Sequence, residues 1–169
     1  LGTFFTTATT TTEDSVAKRF LWNAHNRVPR KMRVVEATNS WTYSTAAFAQ
    51  ANSADANRLQ FIVGLSEEPV YATAVDNVIN STSTARAVVN GIGLDTTNAN
   101  TAFSSGINNF AYATDTVGVA TWVIYDDFPG IGYHSLVWLE RGAGTDTQTW
   151  IGDSGGTNNQ TGIIGRIIG

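Results

Sequence analysis

Residues Trp150 to Gln160 read WIGDSGGTNNQ, and Gly152–Gly156 within them spell GDSGG. A serine in that setting can act as a nucleophile if a histidine takes its proton and a carboxylate orients the histidine. The chain offers the order: His25, preceded by Ala24, then Asp76 or Asp95, then Ser154. His134 is a second candidate base, but it stands mid-strand beside Tyr133 and near Trp138, where a histidine usually packs. The pairs Glu67–Glu68 and Asp126–Asp127 are adjacent in sequence. Neighbours on a strand point to opposite faces, so neither pair can aim both carboxylates at one glycosidic oxygen. Asp146 and Asp153 lie in Gly/Thr-rich turns and offer the oxygen ligands that calcium takes, without a defined ligand set. Two histidines and no cysteine leave zinc without its usual ligands. No metal site and no cofactor is assigned.

GDSGG is best known from chymotrypsin-like proteases, and three physical objections weigh against that reading. Only fifteen residues follow Ser154. They supply about one strand, whereas a specificity pocket and a closed second barrel need two or three of about 5–6 residues each. The region around His25 shows no six-strand pattern. The residues Asp, Ser, Gly, Gly, Thr, Asn and Asn are also the turn formers expected wherever strands are joined. The expectation is that Ser154 is a turn residue and that the chain is not an enzyme.

The elements that would carry these side chains read as strands. A chain of 169 residues suits one domain, taken here as 1–169. Hydrophobic residues make up 42% and charged residues only 14%, with Thr, Asn, Ser and Gly filling the remainder, as in β-rich extracellular or virion surfaces. Strands are expected at 2–7, 31–37, 41–47, 58–64, 70–78, 85–94, 117–126, 133–140, 148–152 and 161–168. Glu13–His25 fits a short helix and an alternating strand equally. YHSLVWLERG and VGVATWVIYDD carry apolar groups on both faces, which calls for sheet-on-sheet packing or a neighbouring subunit. An antiparallel β-sandwich or jelly roll follows. Asp95–Tyr112 reads as one long polar loop of the kind that carries recognition.

Net charge is −4, and the one basic cluster, Arg27, Arg30, Lys31 and Arg33, reads as a solvated strand edge. No nucleic-acid partner is expected. No run approaches the roughly 18 apolar residues of a membrane helix, and no membrane partner is expected. Asn80-Ser81-Thr82 and Asn159-Gln160-Thr161 match the glycosylation pattern at a frequency near chance. Of the five tryptophans, Trp122 and Trp138 are expected in core or interface, and Trp41 and Trp150 partly exposed. Candidate ligand contacts are Asn98, Asn100, Asn108 and Asn109 in the long loop, with Trp41 and Trp150.

Two segments together resemble the C-terminal domains of tailed-bacteriophage fibre-like and minor structural virion proteins. One is RKMRVVEATNSWTYSTAAFAQANSADANRLQFIVGLSEEPV followed by GIGLDTT, the other PGIGYHSLVWLERGAGTDTQTWIGDSGGTNNQTGIIGRIIG. LGTFFTT, the start at Leu1 and the later RFLWN look like the junction where a longer fibre chain enters that domain. The resemblance covers most of the chain and marks a domain type, not an activity. It implies a jelly roll like that of tumour necrosis factor, a homotrimer, and a place on the virion exterior among other virion proteins. In it GDSGG links the last two strands. The function it implies is a tail- or head-fibre knob that attaches to a bacterial surface glycan or protein. The alternative is a capsid-decoration or fibre-capping trimer with no receptor.

Overall fold

Apolar side chains at every second position dominate the long strands, and two stacked antiparallel sheets bury them. In the computed structural model, which describes residues 2–156 and 158–169, the chain opens with β1 (Gly2–Phe4), β2 (Thr6–Ala8), β3 (Thr11–Thr12), β4 (Lys18–Arg19) and β5 (Leu21–Asn23). It continues through β6 (Pro29–Val35), β7 (Ser40–Thr42), β8 (Ala49–Gln50), a 3-10 turn (Ala51–Ser53), β9 (Arg58–Val63), β10 (Val70–Asn80) and β11 (Arg86–Leu94). One helical turn, α1 (Ala102–Ser105), precedes β12 (Gly106–Asn108) and β13 (Phe110–Ala113). The last elements are β14 (Val119–Asp127), β15 (Gly132–Arg141), β16 (Gln148–Ile151) and β17 (Gly162–Ile168).

The first sheet runs β12-β14-β10, then β16 and β17 end to end along β10, with β7 and β6 end to end beyond them. The second runs β13-β11-β15, then β9 and β8 along the far edge of β15, with β4 parallel to β9. From β9 to β16 every successive strand changes sheet. The result is the expected antiparallel β-sandwich.

Inward residues of the long strands meet in the middle. In β10 these are Val70, Ala72, Ala74 and Val78, and in β15 Leu136 and Trp138, all buried. All of these but Val78 join Phe61, Leu59, Ile92, Tyr125, Met32 and Ile163 in the main cluster. Each buried side chain of this size contributes about 1.5–3 kcal/mol. Trp150 centres a second cluster with Val78, Val88 and Ala113.

Glu13–His25 resolves as short strands. Alternation prevails because Phe20 and Trp22 bury against Ile62 while Leu21 between them stays exposed. Trp22 also donates its indole N–H to the buried Glu68 at 2.9 Å. Its ring lies on Gly64, where a Cβ would come within 2.0 Å.

As expected, Ser135 to Glu140 are buried on both faces. The outer cover comes from the chain's own loops: Phe48, Thr96, Ala99 and Asn100 lie over Gly91 and Gly93 of β11, the strand beside β15. The outer face of the first sheet differs. Val75 and Trp122 stand opposite each other on it and each is 40% exposed, with Ile79, Ile107 and Ile164 also exposed. Trp122 therefore lies outside the core.

The basic residues of β6 lie on the strand that borders β17. That edge is partly covered: Arg33 N donates to Val16 O at 2.7 Å, Arg19 donates to Lys31 O at 2.9 Å, and Arg30 pairs with Asp14.

Candidate functional site

The residues around Ser154 form an excursion within one long strand. Ile151 pairs with Asn77 and Gly162 pairs with Val75, so β16 and β17 continue each other along one edge of β10. The link between the last two strands therefore does not turn the chain back: it leaves the sheet after Ile151 and rejoins the same edge at Gly162. Residues 36–39 leave β6 and β7 opposite it, and the two excursions bind each other. Gly152 N donates to Asn39 O at 3.0 Å and Asp153 N to Thr38 O at 3.2 Å. Asn159 Nδ2 donates to Gly152 O at 2.7 Å. Gly155 N is shared between Asp153 Oδ1 and Asn39 Oδ1, each at 3.0 Å. Ser154, Gly155 and Gly156 have φ of 49°, 79° and 76°. Ser154 Oγ is exposed and makes no hydrogen bond among the described residues.

The carboxylates that could have served Ser154 are engaged elsewhere. Asp95 Oδ2 lies 2.8 Å from His134 Nδ1, and Asp95 Oδ1 accepts from Ser135 N at 2.7 Å. His134 Nε2 faces Gly130 O at 3.2 Å, so both ring nitrogens meet oxygens and pin the loop before β15. Asp76 is fully buried and accepts from Trp138 Nε1 at 3.0 Å. Burial pushes its carboxyl up to about 8, against the opposing Trp138 bond. Asp76 pairs across the strands with Thr121. Its Oδ1, Thr121 Oγ1 and Asn90 Oδ1 are buried with no partner among the described residues. Thr121 Oγ1 can donate as well as accept, and a protonated Asp76 would bring a second O–H to this group.

Glu140 reaches inward from β15 to Trp41 Nε1 and to Asn52 N, the latter at 3.1 Å. Burial raises its carboxyl to about 8, and the nearby Asp76 adds to the rise. Glu36 is buried too, yet the donors on Asn57, Thr38 and Asn52 outweigh its desolvation and hold its carboxyl below the usual range. These carboxyls are structural acceptors for indoles and backbone, and they do not converge on an open cavity. No group of three or more acidic, histidine or cysteine residues among the described residues could hold a metal ion.

The segment expected as one polar loop is built otherwise. After the turn at 95–101, α1 leads into β12 on the edge of the first sheet, and Asn109 alone separates it from β13 on the edge of the second. Asn109 Oδ1 accepts from Trp122 N at 2.8 Å, extending the β12 ladder. Asn100 Oδ1 accepts from Ile92 N at 3.0 Å and Ala102 N at 3.2 Å, standing in for a strand beside β11. These two asparagines hold backbone. Asn98 is exposed and among the described residues bonds only to Thr96. Asn108 donates to Asn90 O at 3.3 Å and its Oδ1 makes no bond among the described residues. Trp41 is partly exposed as expected, with its indole spent on Glu140. The expected exposure of Trp150 is corrected: its ring is fully buried and its N–H donates to Tyr43 O at 2.9 Å, because alternation turns this side of β16 inward.

Asn108 borders the surface feature best suited to recognition. Ala87 and Val89 face outward from β11 and form the floor of a groove of about 380 Å³. Across the strands Ala87 pairs with Tyr112, and Val89 pairs with Phe110 on one side and Arg141 on the other. Phe110 and Tyr112 meet edge to face at 5.5 Å. Phe103 closes the end against Phe48 at 6.0 Å. Phe48 sits there because Gly91 has no side chain: a Cβ would lie 3.0 Å from its ring. Phe103 on α1 and Phe110 and Tyr112 on the edge strand β13 are 66%, 58% and 59% exposed, an unusual cost for three aromatics lining one groove. Sequence reading missed them because the Thr, Asn, Ser and Gly around them made the whole segment 95–112 read as one polar loop.

No protein-family model matches the chain, and no curated protein matches it significantly.

Proposed function

We propose that this chain is the knob domain of a bacteriophage tail or head fibre, and that the Phe103–Phe110–Tyr112 groove attaches it to a glycan on the bacterial surface. The observation that carries the reading is the groove: three exposed rings, a flat apolar floor and free polar groups. Sugar rings present an apolar C–H face and a polar rim, and flat aromatic side chains with a few fixed hydrogen-bonding groups suit both. The virion assignment rests on the resemblance of the two quoted segments, with which the antiparallel sandwich agrees.

A homotrimer on the virion exterior belongs to the same proposal. The Val75–Trp122–Ile164 face gives it a self-association surface, because apolar patches of this kind on sheet faces mark interfaces. The decoration or capping alternative would use the same face but leave the groove idle. No catalysis is proposed.

The test is competition for adsorption. Purified wild-type chain should block attachment of the parent virus to its host, and a Phe110→Ala/Tyr112→Ala chain of equal thermal stability should not. Equal blocking by both would overturn the assignment of the groove. Hundreds of copies per particle and no affinity of the chain for cells would replace the attachment reading with decoration.

A further inference from the structure

The groove ends at a guanidinium that no described residue binds. Arg141, Val89 and Phe110 stand in register on three neighbouring strands, so their side chains share one row. Strands are spaced about 4.8 Å apart, which places Arg141 roughly 10 Å across the floor from Phe110. Arg19, Arg27, Arg30, Arg58 and Arg86 each pair with a carboxylate. Arg141 has no hydrogen bond and no ion pair among the described residues, although it is half-buried at the rim. The Tyr112 hydroxyl and Asn108 Oδ1, elsewhere along the groove, also lack protein partners among the described residues.

We infer that the groove takes an acidic sugar, whose carboxylate is held by Arg141 while the C–H face of its ring, or of its neighbour, lies on Phe110 and Tyr112. The inference rests on the attachment reading and names the ligand class for that same site. A planar guanidinium matches a carboxylate with two parallel N–H bonds, and such charge-assisted bonds are about twice as strong as neutral ones. A neutral sugar would offer it only single hydroxyl acceptors, without the charge-assisted pair. The chain carries −4 overall, so a polyanion gains nothing from the net charge and depends on a local cation, which Arg141 supplies in this groove. The groove's about 380 Å³ falls within the roughly 300–1,000 Å³ of small-molecule sites.

The experiment is titration calorimetry of the purified chain and its Arg141→Gln and Tyr112→Ala variants, checked for equal melting temperature. The probes are galacturonic- and sialic-acid oligosaccharides, their carboxyl-reduced counterparts and a glycerol-phosphate oligomer. The expected result is binding of at least one carboxylate probe, a loss of tenfold or more with Arg141→Gln, and weak binding of its reduced counterpart that Arg141→Gln does not change. Preference for the reduced or phosphate probes, or an Arg141→Gln chain that binds carboxylates as well as wild type, would overturn the inference. So would a chain that binds cells through Phe110 and Tyr112 but ignores every acidic probe, and that outcome leaves attachment standing. Absence of any cell binding would remove the attachment reading itself.

Discussion

Asp76 and Glu140 set two carboxyl groups where water does not reach, and their raised pKa values of about 8 make stability depend on pH. In the unfolded chain both ionise near the ordinary values of about 4. Between about pH 4 and 8 the folded state therefore binds more protons, and stability falls as pH rises through that window. Glu36, with its lowered carboxyl, acts in the opposite sense and weakens the fold only in acid. The expected outcome for Asp76→Asn is a melting temperature at pH 8.5 above that of wild type, and a smaller drop between pH 5.5 and 8.5. Each 1 kcal/mol corresponds to about 2–4 °C at this chain length. A variant that melts earlier at both pH values would refute the protonated-carboxyl account. Ser154→Ala should leave binding and stability unchanged, and a fluorophosphonate probe should not label Ser154. That Ser154 sits among turn formers was legible from composition. The buried acids were not, because an Asp on an alternating strand shows which way it faces only once its partner strands are known.

Gly152 and Gly155 do different work within one excursion. A Cβ on Gly152 would lie 2.0 Å from Thr38 O, so the backbone of residues 36–39 would have to move. Gly155 has open space around it and only a positive φ to defend, a cost of about 1–2 kcal/mol for an L-residue. Gly152→Ala should therefore lower the melting temperature clearly more than Gly155→Ala, as read by thermal denaturation. Equal effects would mean that the two strand excursions are not locked together. The main strands were legible, since β9, β10, β11, β14, β15, β16 and β17 fall on the alternating runs that mark them. The collinear pairing of β16 and β17 was not, because a Gly/Asn-rich break looks the same whether the chain turns back or resumes its course. The switch of sheets at Asn109 was hidden for a similar reason: two short strands joined by one residue read as a single loop. The groove depends on that switch, which places Phe110 and Tyr112 on the outer edge of the second sheet.

The whole molecule presents two different outer faces. Loops and the N-terminal segment cover much of the second sheet, while the first leaves Val75, Trp122 and Ile164 in the open. Association through that face predicts that the wild-type chain runs as a trimer in light scattering and that Trp122→Glu converts it to a folded monomer. A wild-type monomer at working concentration would remove the trimer from the account. The sandwich was legible because β10 and β14 alternate cleanly and turn formers separate the long strands. The ligand surface was not, because exposure of an aromatic is a property of the assembled sheet edge. Attachment through the groove is tested most directly by binding of fluorescently labelled chain to host cells. Wild-type chain should label the cells, and Phe110→Ala/Tyr112→Ala chain with an unchanged melting temperature should lose at least ten-fold in affinity. Undiminished labelling by the double variant would contradict the account.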